Sequence, residues 1–264
     1  PGHRPFLRTG RPCYPNAHPV QPPVAAIGQG VAMECPIHIK ARCTPQAPAL
    51  LTAAGAVSYA ALDAGVSGAV LWLGCQGVRP GDRIALCLRP DLVACLLYFG
   101  AFRAGLTVCP IDPRHPTAYA AQLVASLGCA AVVAPSGTAG TWLGARRLTP
   151  PTWSALLRTV PDRCPRIGYG MDGAAAIWTS GSTGDAKAAV LSAHSLLAGA
   201  CAANRRIPLG LGDRWYLSLG PHHVAGLGIL FRCAAAGAAA ILPRPGTPLG
   251  AGLARCDATH VSLV

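Results

Sequence analysis

The chain has 264 residues, 52% hydrophobic and only 12% charged, with 22 lysine and arginine side chains against 10 acidic ones. Such apolar content excludes a disordered chain, and its 31 glycines follow no three-residue period, which excludes collagen. The net charge of +12 would suit nucleic acid. However, no basic run exceeds Arg146-Arg147 or Arg205-Arg206, and no aromatics interleave them.

Lysine occurs only at Lys40 and Lys187 and glutamate only at Glu34, a bias spread along the whole sequence. The charge therefore predicts no nucleic-acid partner and leaves room for an anionic small substrate. The 12 cysteines sit mostly inside apolar runs, among them Cys87, Cys95, Cys109, Cys129, Cys201 and Cys233, and no C-x-x-C pair occurs. They read as reduced thiols acting as small hydrophobes in a cytoplasmic protein, not as zinc ligands. The uncharged stretch Thr117–Ala145 is broken by Gln122, Ser126, Gly128, Pro135, Ser136 and Gly140. It falls short of the roughly 20 apolar residues a membrane span needs, and the amino terminus has no signal-peptide pattern.

Residues 1–32 carry seven prolines and three arginines with no acid and no apolar period. They are expected to be a disordered leader, with the folded domain, residues 33–264, starting near Met33. Strands are predicted at Arg83–Leu88, Thr107–Ile111 and Ala130–Ala134, and helices at Asp91–Ala104 and Tyr119–Leu127. After a Pro/Gly/Thr-rich stretch, strands follow at Trp215–Leu219, Ala238–Leu242 and Thr259–Val264, separated by helices at Val224–Ala235 and Leu249–Cys256. Continuously apolar strands alternating with helices mean an α/β fold with mainly parallel sheets flanked by helices. The last strand runs into the final residue, as expected of a fragment.

The run most informative about chemistry is Ala174–Leu191. An apolar strand leads into Thr179-Ser180-Gly181-Ser182-Thr183-Gly184, and Lys187 opens a second apolar strand. Glycines let backbone N–H groups converge on an anion, hydroxyls add donors, and the lysine supplies a mobile point charge. A Walker A loop would need the lysine directly after the last glycine, and here two residues intervene. A plain polar hairpin turn is the competing reading, but four hydroxyls exceed what a tight turn needs. Gly168, Gly170 and Gly173 spell G-x-G-x-x-G, yet Cys164-Pro165-Arg166 precedes them where a strand should be, so chance explains them.

Thr179-Ser180-Gly181-Ser182-Thr183-Gly184-x-x-Lys187 resembles the signature phosphate loop of the adenylate-forming, AMP-binding superfamily, with Ala186 replacing its usual proline. Leu217–Arg232 is similar to the family's strand–loop–helix motif. Gly220, Pro221 and His222 depart from the usual residues there, while His223 falls on the motif histidine. The form His-Val-Ala-Gly-Leu-Gly-Ile-Leu-Phe-Arg from His223, Thr259–Val264 and Lys187-Ala188-Ala189-Val190 resemble the o-succinylbenzoate–CoA ligase subgroup of menaquinone synthesis.

The resemblance implies an acid–thiol ligase. A carboxylate attacks the α-phosphorus of ATP, and coenzyme A then displaces AMP to form a thioester. It assigns Thr179, Ser180, Gly181, Ser182, Thr183, Gly184 and Lys187 to the phosphates, and His223 and Lys187 to catalysis. His223 goes to the acid, against the competing reading of a satisfied histidine at a strand end. Arg232, at helical spacing beyond Gly226, is read from its own chemistry as partner of a second substrate carboxylate, against the competing reading of a solvated helix residue. Ser192 and His194 read as helix caps, and His222 as a packing residue in place of an aromatic ring. The partners implied are a small carboxylic acid, ATP and CoA, with Mg2+ held by a ligand further downstream; a homo-oligomer stays open. The adenine and ribose contacts are likewise expected beyond Val264, so this polypeptide alone is expected to adenylate poorly. Alternatives are a fatty or aryl acyl-CoA ligase, or a non-catalytic nucleotide-binding remnant.

Overall fold

The computed structural model describes residues 33–136, 141–158, 170–179 and 187–263. Residues 1–32, Gly168 and the loop residues Ser180, Gly181, Ser182, Thr183 and Gly184 lie outside the described residues. In chain order the elements open with α1 (Pro36–Cys43), β1 (Pro48–Thr52), β2 (Gly55–Ser58), α2 (Tyr59–Cys75), β3 (Arg83–Leu86) and α3 (Leu92–Arg103). Next come β4 (Thr107–Pro110), α4 (Thr117–Ser126), β5 (Ala131–Val133), β6 (Arg146–Leu148) and α5 (Trp153–Arg158). The chain continues with β7 (Ala174–Thr179), β8 (Lys187–Ser192), α6 (Ala193–Arg206) and β9 (Arg214–Tyr216). It ends with α7 (Val224–Ala236), β10 (Ala239–Ile241), α8 (Leu249–Ala254) and β11 (His260–Val261).

These strands form two sheets, ordered β6-β5-β3-β4-β7-β8 and β11-β9-β10-β1-β2. Both are parallel except at one edge each, where β8 pairs antiparallel with β7 and β2 with β1. The alternating strands and helices are thus an α/β fold as expected, with hairpins at the two edges. Burial explains why the central strands carry no polar face. Along β3 and its continuation, Ile84 and Leu86 enter one core, while Ala85 and Cys87 enter a second. Val108 and Cys109 of β4 divide in the same way. Every second side chain points to the opposite face, and both faces are covered: α4 closes the second core with Ala120, Ala121, Leu123 and Val124.

The larger core joins the two sheets. Helices α2, α3 and α7 meet within it, and the Phe231 ring lies 5.4 Å from both Phe99 and Phe102. Helix starts are set by side chains that satisfy otherwise open backbone donors. Ser58, Asp91 and Ser192 accept from Ala61, Ala94 and Ser195 N–H at 3.2, 2.8 and 3.0 Å. Ser192 is therefore a cap, as its position before an apolar helix predicted. Gly237 ends α7 in the left-handed region with φ 81°.

A charged cluster ties α1 and α3 to α2. Asp63 receives the Arg103 guanidinium on one oxygen and lies 2.8 Å from His38 Nδ1 on the other. Arg103 has a fully buried side chain and also donates to Ser67 Oγ at 3.3 Å. The ten cysteines among the described residues are free thiols, and burial holds those of Cys87 and Cys233 up at about 11 and about 12. Among the described residues no helix is long and apolar enough to cross a membrane, and no group of three or more His, Cys, Asp or Glu could hold a metal.

Gly173, the last glycine of the discarded G-x-G-x-x-G pattern, is a packing residue. A Cβ there would lie 2.5 Å from Leu106 O and 2.7 Å from Phe102 Cα. Several element ends differ from expectation. β9 stops at Tyr216, where Ser218 N–H turns back to Tyr216 O at 2.8 Å. Only His260–Val261 of the predicted Thr259–Val264 strand pairs with β9.

Candidate active site

Ligands of open parallel α/β sheets collect beyond the carboxyl ends of the strands, and both sheets here deliver polar side chains to that edge. A cleft of about 800 Å³ opens between them. Thr52 arrives from the end of β1, Arg89 from the chain after β3, and Asp112 and Arg114 from the chain after β4. Ser218, His222 and His223 come from the loop after β9, and Arg244 from the loop after β10. Three arginines against Asp91 and Asp112 leave the lining positive.

Asp112 is the pivot of one wall. Arg114 grips it with Nε at 3.0 and 3.1 Å and Nη2 at 2.8 Å, a bidentate pairing. These hydrogen bonds hold the Asp112 carboxyl well below the ordinary carboxylate range. Opposite, His222 Nε2 lies 3.4 Å from Asp112 Oδ2, and the His222 ring centroid is 4.4 Å from that of His223. Burial lowers the His222 imidazole, partly opposed by Asp112. His222 therefore faces Asp112 from the other sheet without a hydrogen bond to it, beyond the packing role its position suggested.

His223 is the residue before α7. Its backbone N–H donates to Gly220 O at 3.0 Å and its own carbonyl accepts from Gly226 N–H at 3.0 Å. No side chain caps this helix, and the His223 side chain is exposed at the cleft. The first-turn N–H groups of α7 thus give the His223 end a positive potential. Gly226 is required by close approach: a Cβ would meet Gly220 O at 2.2 Å and Leu219 O at 2.6 Å.

The phosphate-loop candidates are divided. Thr179 and Lys187 face each other as the last pair of the β7–β8 hairpin, with Thr179 Oγ1 donating to Lys187 O at 3.1 Å, and both are exposed. Because β7 runs parallel to β4, this end of the hairpin points the same way as the strand that delivers Asp112 to the cleft. The intervening loop lies outside the described residues, so its phosphate grip is an expectation.

Arg232 is not brought into the His223 cleft. It lines a second groove of about 270 Å³ between α6 and α7, together with Leu191, Gly199, Ala203, Val224 and Gly228. Val224, Gly228 and Arg232 form one stripe of α7 at four-residue spacing. The groove thus starts at the residue after His223 and reaches Arg232 two turns later. Nine residues of helix span about 13 Å. Arg232 Nε donates to Asn204 Oδ1 at 2.8 Å and Nη2 to Ile207 O at 3.1 Å, and its Cζ lies 4.1 Å from the Trp215 ring centroid.

The AMP-binding enzyme family pattern matches residues 37–264. The chain belongs to the AMP-binding enzyme family. It is 32% identical over 220 residues to a 2-succinylbenzoate–CoA ligase of Salmonella typhimurium, covering 83% of this chain and 46% of that protein. The fold matches that of Bacillus subtilis o-succinylbenzoate CoA synthetase in complex with an acyl-adenylate intermediate. That match has a TM-score of 0.77 and 19% identity, over 88% of this chain and 62% of the other. A second structure of the B. subtilis protein, with ATP and magnesium, gives a TM-score of 0.68 and 18% identity over 80% and 45% of the two chains. The chain spans about half the length of the curated relatives it matches.

As an AMP-binding enzyme chain, it carries functional candidates that the sequence left unread: Arg89, Asp112, Arg114, Asn204, Trp215 and Arg244. Asp112-Pro113 reads only as the end of a strand, and nothing local reveals that its carboxylate meets a histidine 110 positions later. For Asn204 the available signal was an amide at the end of an otherwise Ala-rich helix.

Proposed function

We propose that this chain supplies the phosphate loop and acid-binding half of a ligase that activates 2-succinylbenzoate with ATP and passes it to coenzyme A. The observation that carries the reading is Arg232. It is a half-buried cation at the end of a groove, and among the described residues no carboxylate forms an ion pair with it. Burial lowers its guanidinium, so an anionic ligand would offset a desolvation cost the protein leaves open. A carboxylate at Arg232 places the rest of a small aryl acid along Gly228 and Val224, with its other carboxylate near His223 and the positive start of α7.

In the chemistry proposed, a carboxylate oxygen attacks the α-phosphorus of ATP and the bond to pyrophosphate breaks. The coenzyme A thiolate then attacks the acyl carbon, and the carbon–oxygen bond to AMP breaks. Lys187 and the hydroxyl loop would hold the departing phosphates, where positioning and charge stabilisation supply most of the catalysis. His223 would donate to the acyl carboxylate and orient it. The cationic cleft suits the phosphates of the polyanionic co-substrates. Among the described residues no group of three or more His, Cys, Asp or Glu could hold a metal, and Mg2+ would be carried by the nucleotide's phosphates.

A long-chain acid is the weaker candidate, since the groove is short and ends on a cation. The free thiols support a cytoplasmic setting. The test is coupled pyrophosphate release by the longest polypeptide carrying this chain, screened against aryl and aliphatic acids. Release with 2-succinylbenzoate and not with fatty acids supports the reading, and preference for a fatty acid refutes it.

A further inference from the structure

We propose that Asn204 and Trp215 are positioning residues that hold the Arg232 guanidinium in place as a receptor for the ring carboxylate of the acid; this rests on the dicarboxylate reading above. An arginine on a helix face samples many rotamers, and a fixed fork loses less freedom when it binds. Here the fork is fixed on several sides. Asn204, buried at the end of α6, accepts from Arg232 Nε at 2.8 Å through Oδ1 and donates through Nδ2 to Arg232 O at 3.1 Å. The two bonds together dictate which way the amide faces, because only its oxygen can accept from a guanidinium. Ile207 O accepts a hydrogen bond from Nη2 at 3.1 Å.

Trp215 supplies a flat floor, with the guanidinium carbon 4.1 Å from its ring centroid. That floor is itself held. Trp215 is 4% exposed, and the His260 ring stacks on it at 5.1 Å and 25° while Nε2 of His260 lies 3.2 Å from Pro208 O. What remains of the fork is Nη1 and the second Nη2 proton, which have no partner among the described residues. These are the donors a carboxylate engages end-on.

The test uses the 264-residue chain, with 2-succinylbenzoate and 3-benzoylpropionate as probes. The second acid lacks only the ring carboxylate. Affinities are measured by calorimetry, and the Arg232 Nε–H resonance is followed by NMR. The wild type should prefer 2-succinylbenzoate by about tenfold or more, the worth of one charge-assisted pair. N204L should move and broaden the Arg232 signal and abolish that preference, with 3-benzoylpropionate affinity falling far less. N204D keeps an acceptor for Nε but adds a competing charge. It should retain a sharp Arg232 signal and still lose the preference, which separates positioning from folding. If N204L keeps both the signal and the preference, the positioning role is overturned and the dicarboxylate reading survives. If the wild type shows no preference between the two acids, both fall together.

Discussion

Substituting Gly226 by alanine should disturb the candidate site through the backbone alone. The added methyl would lie 2.2 Å from Gly220 O and 2.5 Å from Gly220 C, and it must open that contact by 0.8 Å to reach even 3.0 Å. Both obstacles are main chain, so no side-chain rotation relieves them. Gly220 O is also the acceptor for His223 N–H at 3.0 Å, and the same push loosens the bond that seats His223. Overpacking of this kind costs about 1–3 kcal/mol, and each kcal/mol lowers Tm by about 2–4 °C in a domain of this size. Calorimetry should therefore show a Tm lower by about 2–12 °C, and the His223 imidazole signals should shift in NMR spectra. An unchanged Tm with unmoved His223 signals would refute the close-approach reasoning.

Three other substitutions probe separate parts of the structure. Lys187→Ala should lower carboxylate-dependent pyrophosphate release at least tenfold, as expected when a charge-assisted contact is lost. Its Tm should be unchanged because the side chain is exposed, and full activity would remove the lysine from the phosphate site. Asp63→Ala removes the Asp63 carboxylate from the buried Arg103 and should cost about 3 kcal/mol in urea unfolding; a loss under about 1 kcal/mol would show the pair to be dispensable. Arg114→Gln should raise the Asp112 titration midpoint toward the ordinary value of about 3.9. The folded state favours the Asp112 carboxylate, so its stabilising share is complete above that value and is lost as pH falls through the lower folded midpoint. The variant should lose it at higher pH than the wild type, and NMR titration showing an unmoved midpoint would contradict this.

The alternation of β3 to β5 with α3 and α4 was legible because each strand is largely apolar on both faces, although α4 starts at Thr117 with no side-chain cap, two residues before the expected Tyr119. Asp91 and Ser192 announce their helices from the sequence. The hairpin β1–β2 and α2 were not legible. α2 packs against α1, α3 and α5, so its run of small apolar residues shows no polar stripe to set a period. Among the candidate residues, Lys187 was legible as one of two lysines in an arginine-biased chain, and His223 through the resemblance of Leu217–Arg232 to the family's strand–loop–helix motif, with Arg232 at helical spacing beyond it. The separation of His223 into the cleft and Arg232 into the groove was not, since it depends on where along and around α7 each residue falls. The pairing of Asp112 with His222 and the clamp of Asn204 and Trp215 join distant segments, and no local pattern encodes them.

Oxygen transfer from acid to nucleotide reports directly whether an acyl-adenylate forms. With 2-succinylbenzoate labelled with oxygen-18 in its succinyl carboxylate, the longest polypeptide carrying this chain should turn over with ATP and CoA to give AMP containing one labelled oxygen. Label in inorganic phosphate or pyrophosphate, with AMP or ADP unlabelled, would contradict the account.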